Sequence, residues 1–145
     1  MENQPDVERD VEVVAALVER RGRWLLAKRP ADKRHGGRWE LPGGKVRAGE
    51  SLAEAVRREL AEELGVAVTS VGAPGASLRD PGTPFVIRFC PVEIDGEPSA
   101  HEHDEVRWVT RDEALALSLA PTDRRFLTSL RAPRAPKAPG AAGFL

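Results

Sequence analysis

Apolar residues fall along the chain in short blocks separated by turn-forming residues, a pattern that predicts mixed α and β structure. The run Val11 to Glu19 and the following RWLLAKR flank Arg20-Arg21-Gly22, which predicts two core strands joined by a hairpin. Pro30 to Gly37 (PADKRHGG) has no period and carries charge and glycine, the mark of a functional or mobile loop. Arg38-Trp39-Glu40-Leu41 then leads into Pro42-Gly43-Gly44-Lys45, which reads as a tight turn where backbone can approach a ligand. Leu52, Val56, Leu60 and Leu64 recur at helical spacing behind the capping-box pair Ser51 and Glu54, and Gly65 supplies a stop. Ala67 to Val71, Phe85 to Ile94 and Glu105 to Val109 read as strands, with room for a short one inside GAPGASLRDPGTP. Thr110 with Glu113 repeats the capping-box pattern, and Thr122 is the expected cap of a last helix reaching Leu130.

One helix carries more than a fold. Glu59, Glu62 and Glu63 lie three and four residues apart, so on a helix they share one face and can converge on one cation. Taking Leu52 as zero, Val56 falls at about 40°, Glu63 at about 20°, Glu59 at about 340° and Ala55 at about 300°. The acids therefore interrupt the apolar stripe and point partly inward. Glu54 and Arg58, on the opposite side, are expected to form an ordinary exposed helical pair. Unpaired carboxylates at the edge of a core cost several kcal/mol each, and a divalent cation is the natural compensation. Oxygen ligands favour Mg2+ or Mn2+ over zinc.

Composition narrows the class. A chain of 145 residues with 41% hydrophobic and 31% charged residues suits one soluble domain with its own core. We expect that domain over 10–131, between a flexible N-terminus, 1–9, and a flexible Pro/Ala-rich tail, 132–145. No apolar run spans a membrane, and the acidic start MENQPDVERD is unlike a secretory leader, so the expected location is the cytoplasm. The lone Cys90 excludes an internal disulfide framework, and its apolar neighbours predict a buried strand thiol. A net charge of -1 exerts no global pull on nucleic-acid polymers, so a small phosphorylated partner is expected.

From Gly44 the chain reads glycine, five residues, Glu50, seven residues, then Arg58-Glu59-Leu60-Ala61-Glu62-Glu63-Leu64-Gly65-Val66. This looks like a complete Nudix box, every defining position filled. The resemblance implies an α/β/α sandwich with a mixed sheet, and a hydrolase acting on a nucleoside diphosphate derivative. It assigns metal binding to Glu59, Glu62 and Glu63 with the Gly43 carbonyl, and water activation to Glu59, which Arg58 orients. Glu50 helps to fix the loop, and an acid outside the box, Glu102 in GEPSAHEHDEVRWV, completes the metal site. His101 and His103 beside it read as solvated loop residues or substrate contacts.

KRPADKRHGGRWELPGGKV and LAPTDRRFL are similar to MutT-like nucleoside triphosphate pyrophosphohydrolases, including those acting on CTP or oxidised dGTP. That similarity assigns Arg29, with Lys45, to substrate phosphate, and Asp123 to an exocyclic amino group on the base; a helix-capping Asp123 stays open beside it. Stacking on the base falls to Phe85, Phe89, Trp39 or an aliphatic residue. A hydrolase of ADP-ribose or dinucleoside polyphosphates and a non-catalytic nucleotide-sensing domain are the alternatives, and monomer and homodimer are both open.

Overall fold

A computed structural model describes residues 10–130; segments 1–9 and 131–145, which include both ends expected to be flexible, lie outside the described residues. The expected hairpin forms from β1 (Val11–Arg20) and β2 (Arg23–Lys28), paired at its tip through Glu19 with Trp24 and Arg20 with Arg23. Below the tip the two strands part. β1 runs parallel to β7 (Phe85–Asp95) from Val11 opposite Phe85 to Val18 opposite Val92. β2 pairs antiparallel with β8 (Glu105–Val109) and with the short β3 (Trp39–Glu40). β5 (Ala67–Val71) and β6 (Ala76–Arg79) both lie antiparallel to β7, and β6 is the short strand expected inside the Gly/Pro-rich connection. The sheet is mixed, with one parallel pair among antiparallel ones.

The expected tight turn at Pro42 to Lys45 is instead β4 (Gly43–Lys45), antiparallel to β1, with Ala15 opposite Gly43. The chain between β3 and β4 crosses the wedge where β1 and β2 diverge, and Ala16 N–H donates to the Pro42 carbonyl at 2.8 Å. Only glycine suits position 43. Its φ is +152°, and a side chain there would drive into the Val14 carbonyl.

The sheet is covered on both faces, as alternation along its strands dictates. Val14, Ala16 and Val18 of β1 meet Ala55, Val56, Leu60 and Leu64 of α1 (Leu52–Leu64) in one core. Ala15, Leu26 and Phe89 meet Phe126 and Leu127 of α3 (Pro121–Ser129) and Ala114 of α2 (Arg111–Ala116) in the other. Three layers result, the α/β/α sandwich. Leu60 and Leu64 are fully buried, each worth about 2 kcal/mol. Cys90 is buried as expected, and burial raises its thiol pKa.

Both capping boxes form: Ser51 accepts from Glu54 N–H at the head of α1, and Thr110 accepts from Glu113 N–H at the head of α2. The cap expected at Thr122 does not. Pro121, which has no N–H to satisfy, opens α3 after Ala120, and the Thr122 hydroxyl instead donates to Asp80 Oδ1 at 2.6 Å. Among the described residues no helix is long and apolar enough to cross a membrane.

Candidate active site

α1 faces β4 across the wedge, and its acids divide by depth. Glu63 is buried at 5% exposure, Glu59 keeps 15% of its side chain exposed, and Glu62 keeps 45%. The backbone of β4 lies against the inner two. Gly43 N–H donates to Glu63 Oε1 at 3.4 Å, and the Glu59 carboxyl fills the place a side chain of residue 44 would take. Gly44 thus lets a carboxylate reach bare backbone.

Burial first, then the neighbouring Glu59 carboxyl, pushes the Glu63 carboxyl up to about 9. A cation held between these carboxylates would relieve that repulsion. Among the described residues no three acid, imidazole or thiol groups form a closed cage; Glu62 stands outside the pair, 3.5 Å from Arg58 Nη1. Two carboxylates and the bare glycine backbone of β4 fit a hard divalent cation with open positions, as a substrate phosphate needs.

Arg58 does not form the expected exposed pair with Glu54. Its guanidinium folds back, donating from Nε to Glu50 Oε2 at 2.7 Å, from Nη2 to Glu50 Oε1 at 2.9 Å and from Nη2 to the Lys45 carbonyl at 3.0 Å. The remaining nitrogen, Nη1, reaches Glu59 Oε2 at 3.0 Å. Glu54 is already committed to the capping box. Glu50 also accepts from Arg47 N–H at 2.9 Å, and the Arg58 bond, followed by this one, holds its carboxyl down at about 2. These bonds raise the Arg58 pKa in turn.

The residues outside the helix spread around this centre. Arg29 directly follows β2 and is half-buried; its Nε donates to the Arg34 carbonyl at 2.9 Å and its Nη1 lies 3.3 Å from both oxygens of Glu40. The loop from Pro30 to Gly37 is folded back by Lys33 N–H to Pro30 and Gly37 N–H to Arg29. Lys45 Nζ sits 5.1 Å from the Phe85 ring centroid. Asp123 is buried at 6% exposure and accepts from Leu41 N–H at 2.9 Å through Oδ2. It therefore ties α3 to the β3–β4 crossing and does not cap its own helix. Burial pushes its carboxyl up to about 7, against the Leu41 bond, with the Glu40 and Asp80 charges adding to the rise.

Glu102 is exposed, on the loop between β7 and β8. That loop is pinned to the end of α1: Ser99 N–H donates to the Leu64 carbonyl at 3.0 Å and His101 N–H to the Glu63 carbonyl at 2.9 Å. Gly65, in the left-handed conformation with φ +69°, leaves the room the His101 ring occupies. His103, expected in solvent, is instead 7% exposed, with Nε2 2.9 Å from Glu40 Oε2. Phe89 and Trp39 are core residues at 1% and 5% exposure, and Phe89 stacks on Phe126 at 4.0 Å, so neither presents a free ring face.

Glu40 was missed from the sequence. Its signal is an acid between the apolar Trp39 and Leu41, on a strand whose neighbours are core.

Comparison with known proteins agrees with this geometry. The NUDIX domain model matches residues 8–130. The chain is 42% identical over 127 residues to the CTP pyrophosphohydrolase of Escherichia coli strain K12, covering 86% of this chain and 93% of that one. It is 47% identical over 45 residues to the 8-oxo-dGTP diphosphatase of Proteus vulgaris, 31% of this chain and 40% of that one. The solved structure of a MutT NUDIX hydrolase from Burkholderia pseudomallei superimposes with a TM-score of 0.74 at 31% identity, covering 86% of this chain and 100% of that one. A three-layer fold, the box at 44–66 with its paired carboxylates, and a family match over all the described residues lead to one conclusion: the chain belongs to the Nudix hydrolases.

Proposed function

We propose that the chain hydrolyses a nucleoside triphosphate bearing an amino-substituted base, CTP or dCTP first and oxidised dGTP second, to the monophosphate and pyrophosphate. The observation that carries this reading is the Glu59–Glu63 pair against the Gly43–Gly44 backbone, two carboxylates close together at the edge of the core with one arginine contact between them. The E. coli relative that acts on CTP matches over nearly its whole length, which supports the triphosphate as substrate.

Glu59, Glu62 and Glu63, with the Gly43 carbonyl and Glu102, would hold Mg2+ or Mn2+. When bound, the ion neutralises phosphate oxygens and polarises the bond to be broken. Glu59 takes a proton from the attacking water; Arg58, fixed by Glu50 and the Lys45 carbonyl, holds one Glu59 oxygen and leaves the other for that task. Arg29 binds substrate phosphate with help from Lys45. Asp123, beside the Leu41 backbone, accepts from the exocyclic amino group of the base.

The test is turnover of CTP, dCTP, 5-methyl-dCTP, oxidised dGTP, ADP-ribose and a dinucleoside polyphosphate with Mg2+, following monophosphate and pyrophosphate. Cytosine nucleotides and oxidised dGTP are expected to be consumed. Inert triphosphates beside ADP-ribose converted to AMP would overturn the substrate, and no turnover of any would favour a nucleotide sensor.

A further inference from the structure

The carboxylate of Glu40 joins three segments that are distant in sequence. It stands on β3 opposite Ala27, three residues before Gly43. Its two oxygens face Arg29 Nη1 at 3.3 Å each, and Oε2 also meets His103 Nε2 at 2.9 Å. Through Arg29 it fixes the end of β2. Through His103 it fixes the β7–β8 loop, which Asp104 N–H also ties to the Lys28 carbonyl at 2.9 Å. Glu102 thus lies between two anchors: His101, bonded to the end of α1, and His103, bonded to Glu40.

An acid at this place is costly unless it does something there. Behind burial, its charge adds to the upward push on Asp123. Its oxygens are already engaged by Arg29 and His103. His103 gives up solvent for the contact: its ring is buried and its Nδ1 has no partner among the described residues. The ring's position is therefore set by its bond to Glu40.

We propose that Glu40 is a positioning residue that clamps Arg29 and, by way of His103, the loop carrying Glu102, so that the phosphate-binding arginine and the outlying acid face one substrate in fixed register. The inference rests on the roles given above to Arg29 and Glu102. Misplacing such groups by about an ångström costs roughly 10²-fold in rate.

The experiment uses the full chain with Mg2+ and CTP, or the best nucleotide of the panel, and compares Glu40→Ala, His103→Ala, His103→Gln and the double variant E40A/H103A. Amide hydrogen exchange across residues 99–104 is measured on the same proteins without metal or nucleotide. His103→Ala is expected to lower kcat by roughly 10²-fold with little change in KM. It should also speed exchange at His101 and Asp104 by roughly tenfold. Glu40→Ala is expected to do both and to raise KM as well, because Arg29 is also released. His103→Gln, which keeps an N–H donor near the Nε2 position, should recover most of kcat and slow exchange. The double variant should be no worse in kcat than Glu40→Ala alone, as two members of one linkage require. Additive losses, a fall in kcat without faster exchange in the loop, or wild-type kcat and KM in Glu40→Ala would each overturn the clamp. Full activity in Glu102→Gln would overturn the role of Glu102 instead; it is separable because loop exchange in Glu40→Ala reads the clamp directly.

Discussion

Two clusters of charge share α1 and are built on opposite terms. Around Arg58 every guanidinium nitrogen has an acceptor: Glu50 twice, the Lys45 carbonyl and Glu59, with Glu50 held at about 2. One turn further on, Glu63 has only the Gly43 N–H and another acid, and its carboxyl is pushed up to about 9. The first cluster supports the fold. Glu50 has a depressed pKa, so its contribution is present above its ordinary value near 4.5 and is lost as pH falls toward 2. The second cluster works against the fold at neutral pH, and on the proposed function it is kept because a cation completes it, the usual trade of stability for function. Satisfied charge marks structure, and unsatisfied charge marks the place where something binds.

The contrast is tested most strongly at the residue that touches both clusters. Glu59→Gln is expected to lower kcat by roughly 10³-fold while leaving the folding midpoint near wild type, since the amide oxygen still accepts from Arg58. Steady-state turnover beside thermal melting checks this, and an unchanged rate would remove Glu59 from the chemistry.

Asp123 extends the contrast to a second acid that burial holds above its ordinary pKa. Its folded pKa, about 7, lies above its ordinary 3.8, so the native state binds more protons than the unfolded chain between these values. Its effect on stability therefore declines as pH rises from about 4 to 7 and is constant above. Asp123→Asn can still accept from Leu41 N–H and should be more stable than wild type by roughly 2–4 kcal/mol at pH 8, with the difference gone near pH 4. Urea denaturation across that range measures it; a gap that does not depend on pH would mean that Asp123 is not a buried charge.

Much of this was legible in the chain because it is local. Spacing alone found α1, both capping boxes, the hairpin and the inward tilt of Glu59 and Glu63. What escaped depends on partners far away in sequence. Glu40 and His103 meet across 63 positions, and Asp123 and Leu41 across 82, so neither contact leaves a periodic signal. Thr122 misled because a hydroxyl near a helix start reads as a cap, whereas Pro121 had already settled where the helix begins. The segment Pro42 to Lys45 read as a turn for the same reason. Its glycines are there for close approach to Val14 and Glu59, and extended backbone serves that purpose equally well.

The central claim is that the Glu59–Glu63 pair is the cation seat and the Arg58–Glu50 hub is scaffold. Calorimetric titration of Mn2+ into wild type, Glu63→Gln and Glu50→Gln tests it most directly, with thermal melting of each metal-free protein alongside. The account predicts that Glu63→Gln binds Mn2+ more weakly by at least roughly tenfold yet melts higher than wild type at neutral pH, while Glu50→Gln melts lower and keeps its Mn2+ affinity. Wild-type affinity in Glu63→Gln, or equal loss in both variants, would contradict it.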